Sequence, residues 1–428
     1  MHGLSLTVVA FAAIFSSATC QKPVKTISFT EVTNSGSFNA VTSFENGQCQ
    51  QEPFSFNGPI APLNEEVTLF VRGPIQFTQF AVYTPTTNNR RKREAGPSHR
   101  RSHGHRYRHR RSHRIDNSEG EEKRQVGEMV TAVIDGMTVS WVNNYGGAAA
   151  PTATSSLETS SPSTAPTTSI AQNTYPTSTA DADPSSEPDP SSSWARSAYY
   201  SSSAQEADGL VFLKNPPYSS MLSYSSANGT STSSSPEILS DTYIPSNNEF
   251  MIWTDAKCQG NDCAYTAPGS AAYHGFPSSN NIAFFFEFSM PDDTGAGGNN
   301  PNLPAIWMLN SRIPRVQQYG TCTCWTNDGS SGCGEYDLFE ANPTNGPDML
   351  LPMFHCMGTK AGGSLNSDYF ERPYIGTMKA AVVFCHGQQA IQMQVLDNST
   401  DISNVSGNTI DQICLQSSFA NVVNFDNL

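Results

Sequence analysis

No stretch of this 428-residue chain keeps a helical apolar rhythm for more than about three turns, while short runs of strand-forming residues recur along most of its length. Ile282-Ala283-Phe284-Phe285-Phe286-Glu287-Phe288, Ala305-Ile306-Trp307-Met308-Leu309, Ala380-Ala381-Val382-Val383-Phe384 and Ile391 to Leu396 are dense in β-branched and aromatic residues. Turn clusters such as Gly295-Ala296-Gly297-Gly298-Asn299-Asn300-Pro301 separate them. With no long helix to cover a sheet, strands of this kind bury their apolar faces against one another. The expected fold class is therefore all-β, with a β-sandwich over 209–428.

The rest of the chain is organised by composition. Leu4 to Phe15 is an apolar run followed by small residues, which reads as a signal peptide over 1–20. No other segment has the length and apolarity to span a bilayer, so no membrane partner is expected. Short β-like runs from Val24 to Phe80 predict a small β-rich module over 24–146. Its last strands fall at Met129–Ile134 and Met137–Val142, around an Asp135-Gly136 hairpin turn. A basic insert, residues 90–124, interrupts it. The insert has too few apolar residues to offset its ordering entropy and is expected to be disordered. Lys92-Arg93-Glu94-Ala95 and Lys123-Arg124 inside it resemble dibasic secretory cleavage sequences. Residues 147–208 are rich in Ser, Thr, Ala and Pro and read as an extended linker.

Charge and cysteine usage narrow the function classes. The formal charge is −14, yet residues 90–124 hold thirteen of the 24 Lys and Arg and five of the 38 acids. Outside the insert, eleven cations face 33 acids, a net −22. An acidic body does not attract polyanions, so nucleic acid is excluded as the expected partner and a neutral polysaccharide fits better. Ten cysteines, seven of them between Cys258 and Cys385, read as disulfides in an oxidising compartment. Cys258 with Cys263, Cys356 with Cys385, and Cys20 with Cys49 are plausible pairs. Sequons begin at Asn228, Asn398 and Asn404, as expected for a secreted glycoprotein.

The most informative segment is Gly334-Glu335-Tyr336-Asp337-Leu338-Phe339-Glu340. On a strand, Glu335 and Asp337 share one face, and Tyr336 and Leu338 the other. Strict alternation would drive Glu340 into the core, where an unpaired carboxylate costs several kcal/mol. One bulge at Leu338-Phe339 resets the alternation and turns all three acids to one side. Paired carboxylates are what glycosidic bond cleavage needs, one as nucleophile and one as acid and then base. A solvated acidic strand face, or a metal site built from the same oxygens, is the competing reading.

Glu-x-Asp-x-x-Glu after a Pro304-Ala305-Ile306-Trp307 strand resembles the signature of family 16 glycoside hydrolases, β-glucanases with a concanavalin-like jelly roll. Ala272-Tyr273-His274-Gly275-Phe276, Phe288 to Pro291, Leu303 to Asn310, Ile313-Pro314-Arg315, Gln318 to Trp325 and Gly332 to Glu340 resemble a narrower group, the fungal cell-wall Target of SBF proteins. The resemblance implies a secreted, retaining endo-β-1,3-glucanase of the cell wall, with Glu335 as nucleophile, Asp337 as its electrostatic partner and Glu340 as acid/base. The alternatives are a wall transglycosylase and a non-catalytic glucan-binding protein.

Trp307, Trp325, Trp253 and Tyr273 are candidate sugar-stacking rings, and His274 and His355 candidate cleft residues. Core packing competes for Trp307, which sits mid-strand. Trp325, among polar residues, is the better platform. Cys322, Cys324 and Cys333 lack a partner at a usual zinc spacing, so neither metal nor cofactor is expected. The expected state is a monomer bound to β-glucan.

Overall fold

The computed structural model describes residues 21–86, 129–134, 137–142, 193–214, 221–260, 262–318, 320–326, 332–357, 368–416 and 422–425. The expected signal peptide, the basic insert, the Asp135-Gly136 turn, most of the Ser/Thr-rich stretch and Cys20 lie outside them. The chain divides into two compact units, 91–184 and the remainder. In the first, strands Met129–Ile134 and Met137–Val142 pair antiparallel as a two-stranded sheet. Among the described residues no helix is long and apolar enough to cross a membrane.

The larger unit is an all-β sandwich of two large sheets. The first sheet centres on strands Met378–Cys385, Ile282–Ser289 and Ile75–Pro85. The second runs through Glu249–Thr254, Glu66–Arg72, Ala305–Asn310, Cys333–Asn342 and Gly346–Met357. Their inner faces interlock through aromatic rings. Phe29 meets Phe354 edge-on at 5.0 Å, and Phe286 meets Phe339 at 6.0 Å. Strand Ile282–Ser289 is buried on both faces because Phe284, Phe286 and Phe288 enter this core while Ala283 and Phe285 enter a second cluster outside the sheet. Helix Gly407–Leu415 closes that second cluster with Ile410, Ile413 and Cys414. Ser406 caps the helix by accepting from the Thr409 amide, and Cys385 is bonded to Cys414.

Two expected boundaries are corrected. Residues 26–85 do not form a module of their own: Glu66–Arg72 lies between Glu249–Thr254 and Ala305–Asn310, and Ile75–Pro85 between Ile282–Ser289 and Trp194–Ser201. The sandwich also begins earlier than 209, since Trp194–Ser201 and Glu206–Asp208 are strands of the first sheet. The physical reason is that each sheet buries apolar side chains on both faces, and neither is complete without strands from the two ends of the sequence.

The outer face of the second sheet carries a long hairpin, Thr33–Glu45 with Gln48–Pro59. Phe38 and Phe56 pack there with Phe70, Trp307 and Leu309, and partly buried Phe54 joins them. Burial of such rings stabilises by roughly 1.5–3 kcal/mol apiece. Cys49 at the hairpin end is bonded to Cys322, Cys258 to Cys263 and Cys324 to Cys333. The expected Cys258–Cys263 bond is present. Two expected partners are corrected: Cys385 bonds Cys414 and leaves Cys356 free and buried, and Cys49 bonds Cys322. Cys322 meets Cys49 once the hairpin lies on the second sheet, and Cys414 meets Cys385 once the helix covers the first.

Candidate active site

Strand Cys333–Asn342 contains a bulge. Ile306 faces Phe339 and the next residue, Trp307, faces Asp337, so Leu338 is the extra residue. The neighbouring strand repeats the offset, with Asp337 opposite Met353 and Glu340 opposite Leu351. Tyr336, Leu338, Phe339 and Ala341 all enter the inner core. Glu335, Asp337 and Glu340 stand opposite Leu309, Trp307 and Ala305, alternate residues on one face of the adjoining strand. The bulge admits two consecutive apolar residues to the core and puts all three acids on the outer face. Tyr336 anchors the strand from inside, stacked on Phe354 at 4.2 Å with its hydroxyl donating to Met393 Sδ. Gly334 enters at φ 104°, and a Cβ there would lie 2.8 Å from Leu63 Cδ2, so glycine is required just before the first acid.

The acids line a cleft of about 190 Å³ with Arg72, Trp307, Trp325 and His355. Glu335 is only 6% exposed and Asp337 3%. Trp325 Nε1 donates to Glu335 Oε2. Arg72 donates to Glu340 Oε1 at 2.9 Å and to the Leu303 carbonyl at 2.9 Å, and its guanidinium carbon lies 5.4 Å from the Trp307 ring centre. His355 Nε2 is 2.9 Å from Asp337 Oδ2, near enough for an ion pair when protonated. It is out of line for a hydrogen bond, and Oδ2 is left buried without a hydrogen-bond partner, as is Trp307 Nε1.

Three acids in so little space do not all ionise. Burial, then the Asp337 charge, pushes Glu335 up to about 8, against the opposing pull of His355 and the Trp325 hydrogen bond. Asp337 is raised well above the usual carboxylate range by burial, by the charge of Glu340 and by a hydrogen bond with it. Burial and mutual repulsion therefore favour the protonated forms of Glu335 and Asp337.

The nine sequence-derived candidates divide. Glu335, Asp337, Glu340, Trp307, Trp325 and His355 meet in the cleft. Trp307 is nevertheless 2% exposed and stacks on Phe70 at 5.1 Å, so it serves as a wall rather than an open sugar platform. Trp325 is half-buried. Tyr273 and His274 lie away from the cleft lining. Tyr273 is buried, with its hydroxyl 3.1 Å from that of Tyr224. His274 Nδ1 is 2.7 Å from Glu66 Oε1, and Nε2 is 3.4 Å from Asp262 Oδ2. Residue type made both candidates, but the pairing of Phe276 with Val67 sets their segment at another part of the sheet. Trp253 is wholly buried. Sequence reasoning missed Arg72, whose only cue is a lone cation ending the apolar run Val67 to Val71, over 200 residues before the acids.

Disulfide-linked, all-β and closed around a core drawn from both ends of the chain, with a row of acids on a bulged strand, this is a β-sandwich of extracellular type with a carboxylate cleft. The C-terminal profile of the cell wall proteins YJL171C/Tos1 matches residues 192–413, and the N-terminal profile of the same proteins matches residues 25–85. The chain belongs to the YJL171C/Tos1 family of cell wall proteins, and is thus a secreted wall protein. It is 34% identical over 419 residues to the Saccharomyces cerevisiae "Probable circularly permuted 1,3-beta-glucanase TOS1", covering 90% of this chain and 89% of that protein. It is 33% identical over 404 residues to the Arthroderma benhamiae "Probable circularly permuted 1,3-beta-glucanase", covering 88% and 86%. The Candida albicans TOS1 protein of the same description is 31% identical over 438 residues, covering 88% and 87%. No solved structure matches the chain.

Proposed function

We propose that the protein is a retaining endo-β-1,3-glucanase of the fungal cell wall, and that Glu335, Asp337 and Glu340 carry its chemistry. The observation that carries this reading is the bulge at Leu338, which turns all three carboxylates to one face beside a half-buried tryptophan. The relatives' description as 1,3-β-glucanases supplies the substrate class.

Glu335 attacks the anomeric carbon while Glu340 protonates the departing oxygen. The glycosyl-enzyme is then resolved by water, with Glu340 as base. Burial and the Glu340 charge favour the protonated form of Asp337, which is hydrogen-bonded to Glu340 and so is placed to supply the proton that Glu340 hands on. Glu335 must lose its own proton to solvent water before attack. The Trp325 hydrogen bond and the His355 charge act in that direction, and so does positive charge developing on the sugar.

One observation favours a second reading with the two glutamates exchanged. Arg72 pairs with Glu340 while Glu335 is held neutral by burial, the arrangement expected of a charged nucleophile at Glu340 and an acid at Glu335. A 2-deoxy-2-fluoro laminaribiosyl fluoride distinguishes them, because it arrests the covalent intermediate on the nucleophile. Mass analysis of the labelled peptide is expected to find the sugar on Glu335, and label on Glu340 would establish the exchange. No label together with no reducing ends from any β-glucan would leave a glucan-binding wall protein. Products longer than the starting laminari-oligosaccharide would indicate a transglycosylase.

A further inference from the structure

A cavity larger than the carboxylate cleft lies elsewhere on the second sheet. A cavity of about 570 Å³ lies between the Thr33–Pro59 hairpin and the segment from Cys258 to Ala272, and a second of about 300 Å³ adjoins it. The two share Cys263, Ala264 and Arg312 in their walls and so form one groove. Such volumes fall in the range of organic-ligand sites, whereas the 190 Å³ cleft lies below it. A catalyst acting on a polymer draws binding energy from sugars remote from the bond it breaks. The cleft alone offers little room for them.

The groove is built for a neutral, hydroxyl-rich ligand. Arg312 is held in place by Glu65 at 3.0 and 2.9 Å and lies 4.1 Å over the Phe54 ring, so its remaining N–H donors present a fixed edge. Glu52, Glu65, Glu66 and Asp262 outnumber Arg312 and Arg315 in the lining, which disfavours an anionic ligand and supplies hydroxyl acceptors. Tyr265 adds a half-exposed ring, its hydroxyl donating to the Phe44 carbonyl at 3.3 Å.

The hairpin connects this groove to the cleft. Cys49 is bonded to Cys322, and Gln51 Nε2 donates to the Thr323 carbonyl at 2.9 Å. Trp325, two residues further, lines the cleft and donates to Glu335. Glu52 and Phe54, in the groove wall, stand three to five residues from Cys49, about 10–16 Å of strand. We propose that the groove under the hairpin is an extended saccharide subsite that binds the same β-glucan chain several residues away from the bond cleaved. This rests on the glucanase reading of the cleft and assigns the hairpin a part in substrate binding.

The test uses the full chain carrying Glu335→Gln, so that bound glucan is not consumed, and measures affinity for laminari-oligosaccharides of increasing length by calorimetry. Thr42→Trp fills the groove from an exposed position, and Glu52→Ala removes an exposed acceptor; neither enters the core. Both are expected to weaken the longest oligosaccharides about tenfold and to leave the disaccharide and trisaccharide unchanged. Equal affinity at every length, or equal weakening at every length, would overturn the groove assignment alone. If the Glu335→Gln chain binds no β-glucan of any length, this proposal and the glucanase reading fall together.

Discussion

The two outer faces of the sandwich are built from the same kind of strand and put to opposite uses. On the first sheet, Ala283, Phe285, Ala381 and Val383 are covered by helix Gly407–Leu415, and a disulfide pins the cover down. Tyr83 is polar there, and its hydroxyl donates to the Ile402 carbonyl and accepts from the Val405 amide. On the second sheet, a hairpin covers only part of the face, and beside it lie two carboxyl groups almost wholly buried, Glu335 and Asp337. Both faces keep buried polar atoms without a hydrogen bond, Glu287 Oε2 and Gln392 Oε1 on the first and Asp337 Oδ2 and Trp307 Nε1 on the second, so that cost of about 1–3 kcal/mol each does not separate them. What separates them is that the second face gathers three acids at an open cleft, where burying two of them works against stability.

The largest effect that tests this contrast is on turnover. Glu335→Gln is expected to lower release of reducing ends from laminarin by about a thousandfold or more, while affinity for the glucan changes little. Full activity in that variant would remove the cleft from the chemistry. On the helix face the expectation is reversed. Replacing Cys385 and Cys414 by serine opens a loop whose closing residues are 29 apart, a loss of about 3–4 kcal/mol in urea unfolding, with kcat on laminarin preserved. A matching loss of kcat at a temperature where the variant is folded would mean that the two faces are coupled.

A third measurement turns the same glutamate into a stability probe. Glu335 ordinarily titrates at 4.5 and is raised to about 8 by burial and by Asp337. The folded state therefore binds more protons than the unfolded state between these values, and stability falls as pH rises through that window. The penalty is absent below 4.5 and fully present above 8. Glu335→Gln removes it, so the variant is expected to be more stable than wild type by about 4 kcal/mol at pH 8 and equal to it at pH 4. A variant less stable at pH 8 would show that the charged carboxylate is held favourably after all.

The smallest effect is local. Gly334→Ala sets a Cβ against Leu63 at a positive φ and is expected to cost about 1–3 kcal/mol, and to lower kcat more than KM because Glu335 is the next residue. Unchanged kcat would mean that the acid is positioned independently of the strand entry.

Much of the cleft was legible in the sequence because its logic is local. The bulge follows from one conflict between strand alternation and the polarity of Leu338, Phe339 and Glu340, and only those residues are needed to see it. All-β character follows likewise from residue types within each short run. Arg72 was not legible, nor was the displacement of Tyr273 and His274, since each depends on which strand lies next to which. Strand order is decided when whole apolar faces are buried together, and that decision draws on residues hundreds of positions apart.

By itself, then, the sequence determined the strands, the side of the strand that three acids occupy, and the all-β character of the described residues. Tertiary structure alone decided that strands within residues 26–85 complete both sheets, that Arg72 stands against Glu340, that Cys49 reaches Cys322 and Cys385 reaches Cys414, and that a groove opens under the hairpin. The division follows from the range of the forces involved. Side-chain alternation acts over neighbouring residues, whereas pairing partners are chosen by the burial of surfaces that exist only once the chain has folded back on itself.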